Sequence, residues 1–164
     1  MATPRDVRRL AFQCLFQLDA RSGDEPTVRE SIAELAEFTP RERDQALELA
    51  RGAFARRAEA DRVMVGLAPT WPAHRQAAVD RAILRLAYHE MTSGKTSPKI
   101  VVNEAVELAK AYSTEKSPAF INGLLDKVLK RVLAERAGPA EDRGAPEPAG
   151  GTAGPGAAGG GEGA

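Results

Sequence analysis

The chain has 164 residues, and its 23 basic side chains balance 23 acidic ones. A single cysteine, Cys14, excludes an internal disulfide and favours a reducing compartment. No apolar run approaches the roughly 18 residues that a membrane span needs, and no signal-peptide pattern follows Met1. We therefore expect a cytoplasmic protein without a membrane segment.

Amphipathic helical patterns fill the first 68 residues. Thr3-Pro4 is typical of a helix start, and apolar residues then recur at three- and four-residue spacing: Val7, Leu10, Ala11, Cys14, Leu15 and Leu18. Thr27 and Glu30 have the pattern of a capping box for a short second helix. Thr39-Pro40 predicts the start of a third helix that extends as far as Leu67.

Three more amphipathic segments lie between Val79 and Val132, separated by Ser97-Pro98 and Ser117-Pro118. Each Ser-Pro pair offers an N-cap hydroxyl before a proline at the first helical position. The last segment is apolar around nearly half of its circumference, so we expect it at the centre of the C-terminal half. Strand-like alternation is absent from the sequence. The patterns predict an all-α protein with two helical subdomains, 3–68 and 72–137.

Two further stretches stand apart from these helices. Trp71 lies between Pro69 and Pro72 in the connection between the halves, where we expect it to act as a packing plug. From Gly138 onward, glycine, alanine and proline fill 21 of 27 positions. Because such a composition offers no large apolar side chains to bury, residues 138–164 are predicted to be a disordered tail.

The residue inventory argues against an enzyme. His74 and His89 lack metal-ligand spacing with each other or with Cys14. The serines lie mostly at predicted caps and loops, and Glu104 and Glu107 are followed by Lys110 in the pattern of a solvated charged face. We therefore predict no catalytic residues, no metal site and no cofactor.

A cluster of arginines offers a different kind of function. Arg5, Arg8 and Arg9 lie at the start of the first helix, where the helix dipole adds to their charge. A guanidinium group can bind phosphate with two hydrogen bonds and stack on an unpaired base, which suits single-stranded RNA. Gln13 lies one turn beyond Arg9 and is a candidate for reading a base edge. On composition alone, an ordinary solvated face is the favoured interpretation of these arginines.

The strings RRLAFQCLFQLD, VDRAILRLAYHEM and PKIVVNEAVELAKAYSTEKSPAFINGLLDKVL resemble the NusB family of transcription antitermination factors, over residues 4 to about 133. The resemblance implies two packed helical bundles with about seven helices and no catalytic activity. It also implies binding of the boxA sequence of nascent ribosomal RNA transcripts, jointly with the small-subunit ribosomal protein NusE. In the family, that assembly helps RNA polymerase to read through terminators.

The resemblance also assigns roles to individual positions. It implies RNA contacts for Arg5, Arg8, Arg9, Gln13, Lys116 and Phe120, and NusE contacts for Phe16, Asp80 and Leu84. The family's arginine segment is denser than the one found here, where Asp6 places a negative charge that repels phosphate. Gly123 lies inside an apolar helix pattern, and we interpret it as a point of close contact between helices.

Two other functions remain open at this stage. One is an accessory domain of an rRNA cytosine methyltransferase, which would require a methyltransferase domain after residue 137. The other is a helical protein-interaction module without RNA binding, which the thinned arginine segment keeps possible. An apolar surface that receives NusE would also allow a homodimer.

Overall fold

The computed structural model describes residues 2–138. Within that range the chain forms seven α-helices and no strand: α1 Pro4–Ala20, α2 Glu25–Ile32, α3 Pro40–Ala55, α4 Arg57–Leu67, α5 Ala78–Ser93, α6 Pro98–Tyr112 and α7 Ser117–Arg136. The 3-10 helix Ala73–Arg75 lies between α4 and α5. The predicted all-α fold is therefore confirmed, whereas the predicted disordered tail lies, apart from Gly138, outside the described residues.

Local sequence signals explain where α1 and α3 begin. The Thr3 hydroxyl accepts a hydrogen bond from the Asp6 amide at 3.1 Å, and the Asp6 carboxylate accepts one from the Thr3 amide at 2.9 Å. Thr39 and Glu42 form the same reciprocal pair at the start of α3. Each pair satisfies two backbone donors that the helix leaves free, so these predicted starts are confirmed.

Three predicted boundaries were wrong. Asp24 rather than Thr27 caps α2, because the Asp24 carboxylate accepts the Thr27 amide and a proline follows in the first turn. The predicted third helix ends as α3 at Ala55, and α4 begins after Arg56. Ser117 is the first residue of α7 and does not cap it, since its hydroxyl donates to the buried carboxylate of Asp80 at 2.9 Å.

The helix at the centre of the molecule is α5 rather than α7. It contacts five of the other six helices, α1, α3, α4, α6 and α7. Nearly every residue from Asp80 to Met91 is consequently buried, whereas α7 keeps an exposed outer face. Buried apolar side chains of both halves form one contiguous core. None of the helices among residues 2–138 has the length and apolar character needed to cross a membrane.

Candidate nucleic-acid interface

The outer face of α1 brings together four of the residues singled out in the sequence. Arg5, Arg9, Gln13 and Phe16 recur at spacings of four, four and three residues, which aligns them along one side of the helix. The side chains of Arg5 and Arg9 are 64% and 42% exposed, and Gln13 and Phe16 are also exposed. The opposite face of α1 packs into the core, so the helix presents this stripe to solvent.

Arg5 is held by a carboxylate from another helix. Its Nε lies 2.9 Å from Oε2 of Glu104, and its Nη2 lies 2.8 Å from Oε1, so α1 and α6 are joined by a two-pronged ion pair. The hydrogen bond from Arg5 lowers the pKa of the Glu104 carboxyl below its ordinary value. Because this pair uses only one edge of the guanidinium, the remaining N–H groups of Arg5 stay available to a phosphate.

Arg8 differs from the other two arginines because it points into the fold. Its Nε lies 3.0 and 2.9 Å from the two carboxylate oxygens of Glu90 on α5, and its side chain is only 13% exposed. Burial raises the pKa of the Glu90 carboxyl, although the charge of Arg8 opposes that shift. Arg8, predicted together with Arg5 and Arg9 to contact RNA, therefore faces a buried partner that lies 82 residues away in the sequence.

Asp6, expected to repel phosphate, has a structural role as well. Hydrogen bonds from the backbone and hydroxyl of Thr3 lower the pKa of its carboxyl, which therefore carries a charge that stabilises the start of α1. Arg9 lies near the same carboxylate, with 3.4 Å between Nη2 and Oδ1. The negative charge of Asp6 is thus partly balanced by Thr3 donors and by Arg9.

A groove of about 230 Å³ runs between the start of α1 and the outer side of α6. Its walls are Arg5, Arg8, Arg9, Glu104, Glu107, Leu108, Ala111 and Tyr112, and we call it the arginine groove. The Tyr112 ring is 40% exposed and packs against Phe12 with 5.3 Å between ring centroids. Its hydroxyl accepts a hydrogen bond of 3.5 Å from Gln13.

Sequence reasoning missed Tyr112 as a surface residue. It continues the apolar spacing of α6, which is typical of a residue that faces inward. The signal that distinguishes it is its position as the last residue of α6, directly before the polar segment Ser113-Thr114-Glu115-Lys116. An aromatic residue at the end of a helix keeps one face open to solvent.

A second groove, of about 500 Å³, opens on the other side of that polar segment. It is lined by Ala68, Thr70, Trp71, Asp80, Thr114, Lys116, Ser117 and Phe120, and we call it the tryptophan groove. Lys116 and Phe120, assigned to RNA from the sequence, thus share one cavity with Asp80, assigned to NusE. The two sets of predicted residues therefore do not occupy separate surfaces.

Asp80 lies at the bottom of this groove and is only 7% exposed. Its Oδ1 accepts a hydrogen bond of 2.5 Å from the Ser113 hydroxyl, and its Oδ2 accepts one of 2.9 Å from Ser117. These bonds tie the start of α5 to the segment between α6 and α7. The carboxylate therefore has a structural role in the isolated chain.

The other two residues assigned to NusE differ sharply in exposure. Phe16 is 37% exposed on the outer face of α1, where a partner has access to it. Leu84 is 1% exposed and belongs to the core, because five other helices pack against α5. The predicted surface position of Leu84 was wrong, and Leu84 supports the fold beneath the surface.

Trp71 was also expected to be buried. Its side chain is instead 45% exposed, and its ring meets Phe120 edge-on with 6.2 Å between ring centroids. The prolines on both sides of Trp71 therefore restrict the backbone of the connection but do not cause the side chain of Trp71 to be buried.

Comparison with known proteins shows to which protein family this fold and these motifs belong. The model of the NusB family matches residues 5–130, which is most of the chain. This chain belongs to the NusB family. A transcription antitermination protein NusB from Symbiobacterium thermophilum is 40% identical, over 77% of this chain and 88% of that protein. Its counterpart from Herpetosiphon aurantiacus is 37% identical, over 79% of this chain and 91% of that protein.

Solved structures of NusB proteins have the same fold. NusB of T. maritima is 30% identical, covers 83% of this chain and 97% of its own, and superposes with a TM-score of 0.71. A NusB protein crystallised with NusE and double-stranded RNA is 26% identical, covers 77% of this chain and 96% of its own, and gives a TM-score of 0.67. The resemblance drawn from the sequence motifs is confirmed.

Proposed function

We propose that this protein is a transcription antitermination factor that binds boxA RNA in nascent ribosomal RNA transcripts, together with the ribosomal protein NusE. The observation that carries the proposal is the match of residues 5–130 to the NusB family. A relative with this fold has been crystallised as a complex with NusE and RNA. The protein acts by binding, without catalysis or a cofactor, and joins the antitermination complex of RNA polymerase in the cytoplasm.

The RNA surface in this proposal follows the outer face of α1. Arg5 and Arg9 supply exposed guanidinium groups for phosphates, Gln13 lies beside them for a base edge, and Lys116 and Phe120 extend the surface beyond Tyr112. Arg8 lines the arginine groove but is largely engaged by Glu90, so its contribution to RNA binding is smaller than that of Arg5 or Arg9.

The NusE surface in this proposal centres on Phe16. An exposed phenylalanine contributes apolar area that a partner protein can bury. Asp80 contributes by tying the start of α5 to the segment between α6 and α7, while Leu84 holds α5 in place from within the core. If the same apolar surface binds a second copy instead, the protein forms a homodimer in the absence of NusE.

One observation favours a second candidate, a helical protein-interaction module without RNA binding. Each of the three arginines already has a carboxylate near it: Arg5 has Glu104, Arg8 has Glu90, and Arg9 has Asp6. Such pairing reduces the positive field that steers RNA to a protein surface. The accessory-domain hypothesis depends on a methyltransferase domain, which residues 138–164 do not resemble in composition.

A salt series of RNA binding tests the proposed function. We expect the protein to bind a boxA RNA more tightly than a scrambled RNA, and more tightly still when the organism's own NusE is added. Each of Arg5→Ala, Arg9→Ala and Lys116→Ala should reduce the slope of log affinity against log salt by about 0.7. Gln13→Ala should lower discrimination between the two RNAs and leave the slope unchanged.

A matched control is Arg29→Ala, which removes an exposed arginine from α2, away from both grooves. Its salt slope should equal that of the wild type. Binding of NusE without any measurable affinity for RNA would replace the proposal with the interaction-module function.

A further inference from the structure

Trp71 is an exposed aromatic side chain on a fixed piece of backbone. Its amide donates to the Ala68 carbonyl at 3.0 Å, and its own carbonyl accepts a hydrogen bond of 3.1 Å from Nε2 of Gln76. Gln76 is 6% exposed, so this second bond is anchored from within the fold. The backbone that carries the exposed indole is therefore fixed, so binding a ligand there needs to order only the side chain.

The tryptophan groove combines two aromatic side chains with a positive charge. Trp71 and Phe120 form the aromatic side, and the exposed Lys116 also lines the cavity. A nucleotide needs both of these features, because its base stacks on an aromatic face and its phosphate pairs with a cation. An aliphatic side chain of a protein would use the aromatic wall and leave the lysine without a partner.

The tryptophan groove and the arginine groove are adjacent along the chain. Tyr112 lines the arginine groove, while Thr114 and Lys116 line the tryptophan groove. Only the short turn from Tyr112 to Ser117 separates these residues in the sequence. A single strand whose phosphates lie on Arg5 and Arg9 would follow this turn past Tyr112 to reach Trp71.

We propose that the tryptophan groove binds one unpaired base of single-stranded RNA, stacked on Trp71, with Lys116 on a flanking phosphate. This inference rests on the proposed RNA binding and deepens it by assigning a base-stacking site to Trp71. The base is held through its aromatic face, so the site tolerates any of the four bases and contributes affinity rather than sequence discrimination.

Because Trp71 is the only tryptophan of the chain, its fluorescence reports on the groove directly. An unlabelled single-stranded boxA RNA is titrated into the full-length protein while indole emission is recorded, and a labelled copy reports binding by anisotropy. We expect the emission to be quenched in parallel with the rise in anisotropy. Trp71→Ala should weaken RNA binding by about 5- to 150-fold without changing the salt slope, since no phosphate contact is lost.

The matched control is Leu133→Ala, which truncates another side chain that is 45% exposed, about 20 Å further along α7 from Phe120. It should bind RNA as the wild type does, and Trp71→Phe should keep most of the affinity. Circular dichroism checks that each variant folds. The quenching titration of the wild-type protein tests the inference even if a variant fails to fold.

Three results would overturn the inference, and they are distinguishable. If anisotropy rises but indole emission and the affinity of Trp71→Ala stay at wild-type values, RNA binds without using the tryptophan groove. If NusE alone shifts the emission and added RNA does not, the groove takes a protein side chain. If the wild type binds no RNA in the anisotropy assay, the proposed function fails together with this inference.

Discussion

Arg8 and Glu90 form a buried ion pair between α1 and α5, with Nε of the arginine 3.0 and 2.9 Å from the two carboxylate oxygens. Loss of one partner leaves the other charge buried without compensation. We expect Arg8→Ala to lower the free energy of unfolding by about 3–5 kcal/mol, measured by urea denaturation. Arg9→Ala, whose ion pair with Asp6 is exposed, should cost at most about 1 kcal/mol. Equal denaturation midpoints for the two variants would contradict a structural role for Arg8.

Gly52 marks a tight crossing between α3 and α5. A Cβ atom at this position would lie 2.5 Å from Nε2 of His89, whose ring sits half-buried beside Arg56. We therefore expect Gly52→Ala to lower the melting temperature, despite the better helix propensity of alanine. The double variant Gly52→Ala/His89→Ala should regain part of the loss, because it removes the ring that the new methyl group meets.

Gly123 is the matched control for that substitution and corrects an expectation from the sequence. It lies on the exposed face of α7, and a Cβ added there would meet no atom within 4 Å, so it is not a close helix contact. Gly123→Ala should therefore stabilise the protein by about 0.5–1 kcal/mol. A loss of stability in calorimetry would show that this glycine has a role in the isolated chain that its surroundings do not reveal.

Asp80 cannot be altered without affecting the fold, because its carboxylate is nearly buried and hydrogen-bonded. Asp80→Ala removes the carboxylate that accepts from Ser113 and Ser117, so the nearly buried Ser117 hydroxyl keeps only its bonds to neighbouring hydroxyl groups. We expect a loss of about 1–3 kcal/mol in the free energy of unfolding. Asp126→Ala, which removes an exposed carboxylate paired with Lys130, should change it by less than about 1 kcal/mol. Similar values for the two variants would mean that the serine contacts contribute nothing.

Cys14 should be chemically inert while the protein is folded. Its side chain is fully buried, and burial raises the pKa of the thiol to about 11. Little thiolate exists at pH 8, and alkylating reagents have no access to the sulfur. We expect mass spectrometry to find no labelling by iodoacetamide in buffer and complete labelling in urea. Rapid labelling of the folded chain would show that α1 detaches from the core.

Glu104 should contribute to the pH dependence of stability. Its folded pKa lies below the ordinary value of 4.5, so its ion pair with Arg5 stabilises the fold above that pH and is lost as the pH falls through the folded pKa. Glu104→Gln should therefore reduce the loss of stability on acidification below about pH 5. Glu107→Gln, which removes a carboxylate paired with Lys110 at the surface, serves as the control. Identical pH profiles for wild type and Glu104→Gln would exclude this contribution.

The elements that could be predicted from the sequence are those that local signals specify. The Thr-Pro pairs at Thr3 and Thr39 mark helix starts that can be read directly from the chain, whereas the capping box predicted at Thr27 does not form. The apolar stripe of α1 needs no knowledge of its partner either. The packing of the helices into two bundles was predicted from the resemblance to the NusB family, because periodicity alone does not specify how helices pack.

The features that escaped prediction depend on contacts between distant positions. The orientation of Arg8 follows from Glu90, which is 82 residues away, and the behaviour of Ser117 follows from Asp80. Spacing also cannot show that five other helices pack against α5, which is what buries Leu84. Trp71 remains exposed because the helices that flank the connection leave a groove beside it, a property of packing rather than of its neighbours in the sequence.

The helical phase of α1 separates two kinds of position, since Leu10, Cys14 and Leu15 are buried while Arg9, Gln13 and Phe16 are exposed. Substitutions at the exposed positions change what the surface recognises at little expense in folding, because those side chains take almost no part in the core. A library randomised at the three exposed positions should therefore yield mostly folded proteins with altered ligand preferences. Randomising the three buried positions should yield mostly unfolded proteins. The binding preference of α1 can therefore change through its exposed residues while the core stays the same.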